Sequence, residues 1–170
     1  MRLIADFHIH SRYARACSKN ITLKVLEQYA RMKGISVLGT GDFGHPLWLK
    51  ELKEGLVEED GLLKTGTGYP FILQTEICNM FSPGGRGRRV HSLILAPDFE
   101  TVDQIRDVLL RRGRLDYDGR PIFGFSCLEL VEMMRGVSKD IEIIPAHAWT
   151  PWFSVFGSSS GFDSLKECFG

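Results

Sequence analysis

The chain opens Arg2-Leu3-Ile4-Ala5-Asp6-Phe7-His8-Ile9-His10, a short apolar run that ends directly in two histidines. Arg2 to Phe7 reads as a β-strand. Strand side chains alternate between faces, so His8 and His10 point the same way, and Asp6 with them. Two imidazoles one pleat apart can grip a single ion. The pattern then changes period. Thr22 can cap a helix running to about Lys33, with Leu23, Leu26, Tyr29 and Ala30 on one face and Gly34 ending it.

The strand-then-helix alternation continues along the chain. Ile35 to Leu38 is an apolar run entering the turn Gly39-Thr40-Gly41-Asp42, and Pro46 to about Leu56 returns to helix period with proline near the first turn. Tyr69 to Ile77 and Arg89 to Leu95 read as strands, separated by turn material over Ser82-Pro83-Gly84-Gly85-Arg86-Gly87. Helices are expected from Asp98 to about Arg112 and from Ser126 to about Arg135, a buried-type strand over Ile141 to Pro145, and a last short helix capped by Asp163. About five strands and about five helices in alternation argue for an α/β fold with strand C-termini on one face. That is fewer than a closed barrel of ~250 residues needs.

Length and composition narrow the classes. With 170 residues the chain can hold one domain with a real core, and 21 basic against 21 acidic residues exclude a globally basic nucleic-acid binder. Any such binding must rest on a local patch. No apolar run approaches the ~18–20 residues of a membrane span, and no signal-like N-terminus precedes the first strand, so no membrane partner and a cytoplasmic location are expected. Cys17, Cys78, Cys127 and Cys168 form no CxxC pair and read as reduced thiols.

All five histidines lie at strand-end positions or near them. Singly, each could simply cap a strand or sit in a turn. Together with the carboxylates Asp42 and Glu76 they form a candidate polynuclear metal site, with Glu76 able to bridge two cations. His91 lies near the start of its apolar run rather than its end, and strand geometry alone places it poorly. His147 follows Ile143-Ile144-Pro145-Ala146 and is placed like the first pair. Asp42 and His45 share the Gly41-Asp42-Phe43-Gly44-His45-Pro46 loop.

These residues carry a family resemblance. Asp-x-His-x-His after the first strand, a TGD-type loop, a strand-end Glu, a later His and a final AH element resemble the PHP (polymerase and histidinol phosphatase) domain family. More specifically, HIHSRYARACSKN, GTGDFGHPLWLKELKE and IPAHAWTPWFSVFGSSSGFDSLKECFG resemble the N-terminal part of the endonuclease Q group, which cuts DNA on the 5′ side of deaminated bases and abasic sites. The resemblance implies an incomplete distorted (β/α)7 barrel of PHP type lacking its last strands, as one domain over 1–170 truncated at its C-terminal end. It further implies two or three divalent ions, with His8, His10 and Glu76 on one and Glu76, His91 and His147 on a second. Asp42 stands where many family members have a histidine for a third metal, and is carried as a ligand and catalytic candidate with His45 beside it. The closing Asp-x-His of the family pattern does not follow His147. Histidine-rich ligation favours zinc, manganese or iron over magnesium.

On the substrate side, Arg86, Arg88 and Arg89 are candidate phosphate contacts, and Trp149 and Trp152 candidate base-stacking residues. Damaged DNA is the expected partner. Three alternatives stay open at this stage: a phosphomonoesterase of the histidinol-phosphatase kind, a solvated hairpin tip and core aromatics with no substrate role, and an inactive fragment that self-associates or is complemented through an open sheet edge.

Overall fold

The computed structural model describes residues 2–59 and 62–170. Its elements run β1 (Ala5–Asp6), α1 (Leu23–Met32), β2 (Val37–Gly39), α2 (Pro46–Gly55), β3 (Val57–Glu59), β4 (Leu62–Lys64), β5 (Pro70–Phe81), β6 (Arg88–Ala96), α3 (Phe99–Leu110), β7 (Ile122–Phe123), α4 (Cys127–Val137), β8 (Glu142–Pro145) and α5 (Leu165–Phe169), with a 3-10 turn over Pro83–Gly85. The strands form one mixed sheet curled into a half-barrel, with β5 as its spine.

Pairing directions decide where the site falls. β1 and β2 run parallel to β5, while β6 pairs antiparallel along β5 from Leu73↔Ala96 to Phe81↔Arg88. β8 is antiparallel to β6 and therefore runs in the direction of β5. The ends of β1, β5 and β8 thus lie at the same rim as the beginning of β6. His91, on β6 opposite Cys78 of β5, is brought there because its strand is reversed. That is why a histidine near the start of an apolar run joins histidines found at the ends of others.

Helix boundaries follow their caps. Thr22 accepts the Val25 N–H, Asp98 accepts the Thr101 N–H, and Ser126 closes a capping box with Glu129. The last helix departs from expectation, since Ser164 rather than Asp163 caps it. β1 is shorter than the apolar run Arg2–Phe7, with Leu3 and Ile4 exposed. The β3–β4 hairpin and the two-residue β7 have too little apolar periodicity to be read from sequence. The helices cover the sheet through Trp48 and Leu52 of α2, Val102 and Ile105 of α3, and Leu130 and Met134 of α4, packed on Leu73, Ile77 and Ile94. No helix among the described residues is long and apolar enough to cross a membrane.

Candidate metal centre

Glu76 is the centre of the rim. It is fully buried, yet surrounded by polar groups rather than apolar ones. Its Oε1 lies 3.0 Å from His91 Nδ1, 3.3 Å from His8 Nε2 and 3.5 Å from His147 Nε2. Its Oε2 lies 3.0 Å from His10 Nε2 and 3.3 Å from Arg120 Nη1. No N–H is aimed along a hydrogen bond to Oε1, which remains a buried acceptor without a partner despite three close nitrogens. An unpaired buried carboxylate oxygen is costly. Three imidazole nitrogens converge on that one oxygen, and His91 Nδ1 also stands 3.3 Å from His147 Nε2; such a cluster of lone-pair donors suits a shared cation.

The spacing supports that fit. Ligands about 2.0–2.1 Å from one tetrahedral ion stand roughly 3.3 Å apart, and the distances around Glu76 Oε1 bracket that value. Two groups offer three converging donors each, His8 with His10 and Glu76, and Glu76 with His91 and His147. Glu76 belongs to both. The donor set is four imidazoles and one carboxylate, which suits a transition metal better than magnesium.

Surrounding groups fix which nitrogen faces inward. Asp42 Oδ1 stands 2.9 Å from His10 Nδ1, and Asp42 Oδ2 accepts the Ser11 backbone N–H at 2.6 Å. The carboxylate so placed keeps the Nδ1 proton, leaving His10 Nε2 turned toward Glu76. His147 Nδ1 lies 3.1 Å from Thr150 Oγ1, whose hydroxyl can donate to the Trp152 carbonyl. His91 is held by its backbone N–H to the Phe153 carbonyl at 2.9 Å and by its ring, 4.8 Å from that of Phe153. Asp42, His147 and Phe153 all have positive φ, at 42°, 32° and 57°. Backbone strain of this kind costs of order 1–3 kcal/mol per residue, and here it is gathered at the rim.

Charge follows from the packing. Burial alone would raise the Glu76 pKa, but the close imidazoles of His10, His8 and His91 favour its charged form and hold it far below the usual carboxylate range. Burial pulls His10 down, but Asp42 and Glu76 outweigh it and raise it to about 9. Burial lowers His147.

Several expected site residues lie elsewhere. Asp42 is fully buried behind His10 with both oxygens engaged and belongs to neither donor group. His45 is the N-cap of α2, is 5% exposed, stacks on Tyr13 at 4.3 Å and belongs to neither donor group. Arg88 is not a free phosphate contact. Its guanidinium is buried against the Phe162 ring at 4.2 Å and pairs with Glu167 at 2.9 Å, so it fastens the C-terminal segment. Arg86 and Arg89 are exposed. Trp149 is 82% exposed, while Trp152 lines a cleft of ≈ 450 Å³ that opens beside His91 and His147.

One loop went unread in the sequence. Residues 116–120 reach back to the rim and bring Asp118, Gly119 and Arg120 to the site. Gly119 donates its N–H to the Tyr13 carbonyl, and a Cβ there would sit 2.6 Å from Asp42 Cγ. A Gly-Arg pair in an aperiodic stretch carries no sequence signal that would separate it from an ordinary turn.

Fold and donor set together define an α/β protein with a candidate metal centre at one rim of its sheet. No known family profile matches the chain. An uncharacterized protein of Methanocaldococcus jannaschii is 34% identical over 147 residues, covering 86% of this chain and 16% of that protein. Among solved structures, the lesion-specific endonuclease PfuEndoQ from Pyrococcus furiosus matches with a TM-score of 0.83 and 35% identity over 99% of this chain. Endonuclease Q bound to a 27-mer duplex substrate with an abasic lesion at its active site matches with a TM-score of 0.82 and 35% identity over 98% of this chain. The chain spans 39% of each of those two chains. Its structural neighbours are thus endonuclease Q, the group its sequence resembles.

Proposed function

We propose that the chain is a PHP-type metallophosphoesterase domain of the endonuclease Q kind, which hydrolyses a DNA phosphodiester on the 5′ side of a deaminated base or abasic site. The observation that carries this reading is the convergence of His8, His10, His91 and His147 on the buried Glu76, in a chain whose solved neighbours include a lesion-specific endonuclease.

His8, His10 and Glu76 would hold one divalent ion, and Glu76, His91 and His147 a second, with zinc, manganese or iron the fitting elements. When bound, such ions supply a water of lowered pKa and positive charge for the phosphoryl oxygens. Asp42 retains the His10 Nδ1 proton and so keeps Nε2 available, and Thr150 does the same for His147. Phe153 shields His91 from water on one face. Trp149 and Trp152 offer rings on which an unpaired base can stack, and the exposed Arg86 and Arg89 would be candidate contacts for phosphates flanking the cut. The neighbour bound to duplex supports DNA as partner. Among the described residues β1 and β8 each pair on one side only, but nothing else favours a second copy of the chain there.

The test is strand scission by the metal-reconstituted protein on three substrates: duplex with an abasic or uracil site, undamaged duplex, and a small phosphate monoester. Cleavage of the damaged duplex alone, abolished by chelator and by Glu76→Gln, is the expected result. Hydrolysis of the monoester with no preference for damaged DNA would replace this reading with the phosphatase one.

A further inference from the structure

Arg120 occupies a position that the metal reading alone does not explain. Its guanidinium stands 3.3 Å from Glu76 Oε2 and is 37% exposed, lining the cleft beside His91 and His147. Arginine cannot shed its proton. It forms part of the counter-charge of a fully buried carboxylate. A divalent ion ligated by Glu76 and a guanidinium on its Oε2 repel one another, so cation binding weakens the Arg120 contact.

The surroundings determine where the guanidinium can go. The root of Arg120 is fixed: its backbone N–H donates to Asp118 Oδ1 at 3.1 Å, and the preceding Gly119 is packed against Asp42. Asp118, a carboxylate lining the cleft, is already engaged by Arg15 Nε at 3.2 Å and by backbone amides. The buried Asp42 behind Gly119 is likewise engaged, by His10 and Ser11. The remaining direction is into the cleft, beside the place where a substrate phosphate would meet the rim.

We propose that Arg120 is an exchangeable counter-charge: it pairs with Glu76 in the metal-free protein and is transferred to a substrate phosphate when cations occupy the rim. This rests on the metal reading of the site. It makes the two binding events reciprocal, because metal uptake frees the arginine and a bound phosphate keeps it away from Glu76. Removing the guanidinium should therefore move the two affinities in opposite directions, which a merely structural arginine would not do.

The experiment uses the full chain, stripped of metal, as wild type, Arg120→Gln and Arg120→Lys, with folding checked by circular dichroism. Zinc or manganese is titrated without phosphate, and inorganic phosphate is then titrated onto protein preloaded with stoichiometric metal. Arg120→Gln should bind metal roughly tenfold more tightly and phosphate roughly tenfold more weakly than wild type, the scale of one partly exposed charge-assisted contact. Arg120→Lys, which keeps the charge, should stay near wild type in both. Unchanged or weaker metal binding by Arg120→Gln overturns the proposal, as does unchanged phosphate binding. Wild-type protein that takes up no metal at all would overturn the site reading and this inference together, whereas normal wild-type uptake with no gain in Arg120→Gln overturns this inference alone.

Discussion

Substituting Asp42 by asparagine separates an orienting carboxylate from a ligand. Asparagine is nearly isosteric and tolerates the positive φ of 42° at this position, so the backbone is not confounded. The carboxylate now serves two donors, the His10 Nδ1–H at 2.9 Å and the Ser11 N–H at 2.6 Å. An amide has one acceptor oxygen and one donor NH2. If the oxygen serves Ser11, the NH2 faces His10 Nδ1, and the imidazole can answer only by moving its proton to Nε2, the atom turned toward Glu76. If the amide flips, a buried Ser11 N–H faces another donor. The first outcome removes a ligand lone pair, and loss of such an outer partner costs about 10–100-fold in metal affinity. The second leaves a buried donor unsatisfied, at about 1–3 kcal/mol of stability. Competition calorimetry with zinc near neutral pH, beside urea unfolding of the metal-free protein, reads both. A folded Asp42→Asn variant whose metal affinity stays within about threefold of wild type would refute the orienting assignment.

Other expectations follow from particular contacts. Gly119→Ala would place a Cβ 2.6 Å from Asp42 Cγ and 3.0 Å from the Ala14 Cβ, and should cost about 1–3 kcal/mol in denaturant unfolding. The metal-free chain should lose stability as pH rises. His10 is raised to about 9 in the folded protein against an ordinary value near 6.5, so its contribution is complete below about 6.5 and is lost through about 9, amounting to roughly 3 kcal/mol. Thermal melts across that window should fall with pH in stripped protein. Arg88→Met should lower the melting temperature, by about 1–2 kcal/mol of stability from the lost Phe162 and Glu167 contacts, and leave DNA affinity unchanged. Trp149→Ala should do the reverse, weakening DNA binding by about 1–3 kcal/mol in an anisotropy titration while the melt stays in place.

The sequence was most legible where local chemistry and tertiary role coincide. The His8–His10 pair, Glu76 and His147 follow apolar runs, and the caps Thr22, Asp98 and Ser126 declare themselves by residue type. Legibility failed where a long-range partner decides the role. Asp42 reads as a ligand until His10 and Ser11 are seen to occupy both its oxygens. Arg88 sits by a glycine-rich turn that looks solvated, and its partner Glu167 is 79 residues away. His91 needed strand direction, which periodicity does not carry. Arg120 needed the course of an aperiodic loop, and nothing in its neighbours announces that this loop returns to Glu76.

Anomalous diffraction at the metal edge, on crystals of reconstituted protein, puts the central claim to its most direct trial. Peaks are expected within about 2.0–2.3 Å of a Glu76 oxygen and of at least two of the imidazole nitrogens of His8, His10, His91 and His147, and none after Glu76→Gln. Metal bound only at other side chains, or a Glu76 that still makes its contacts to the histidines with no ion between them, would contradict it.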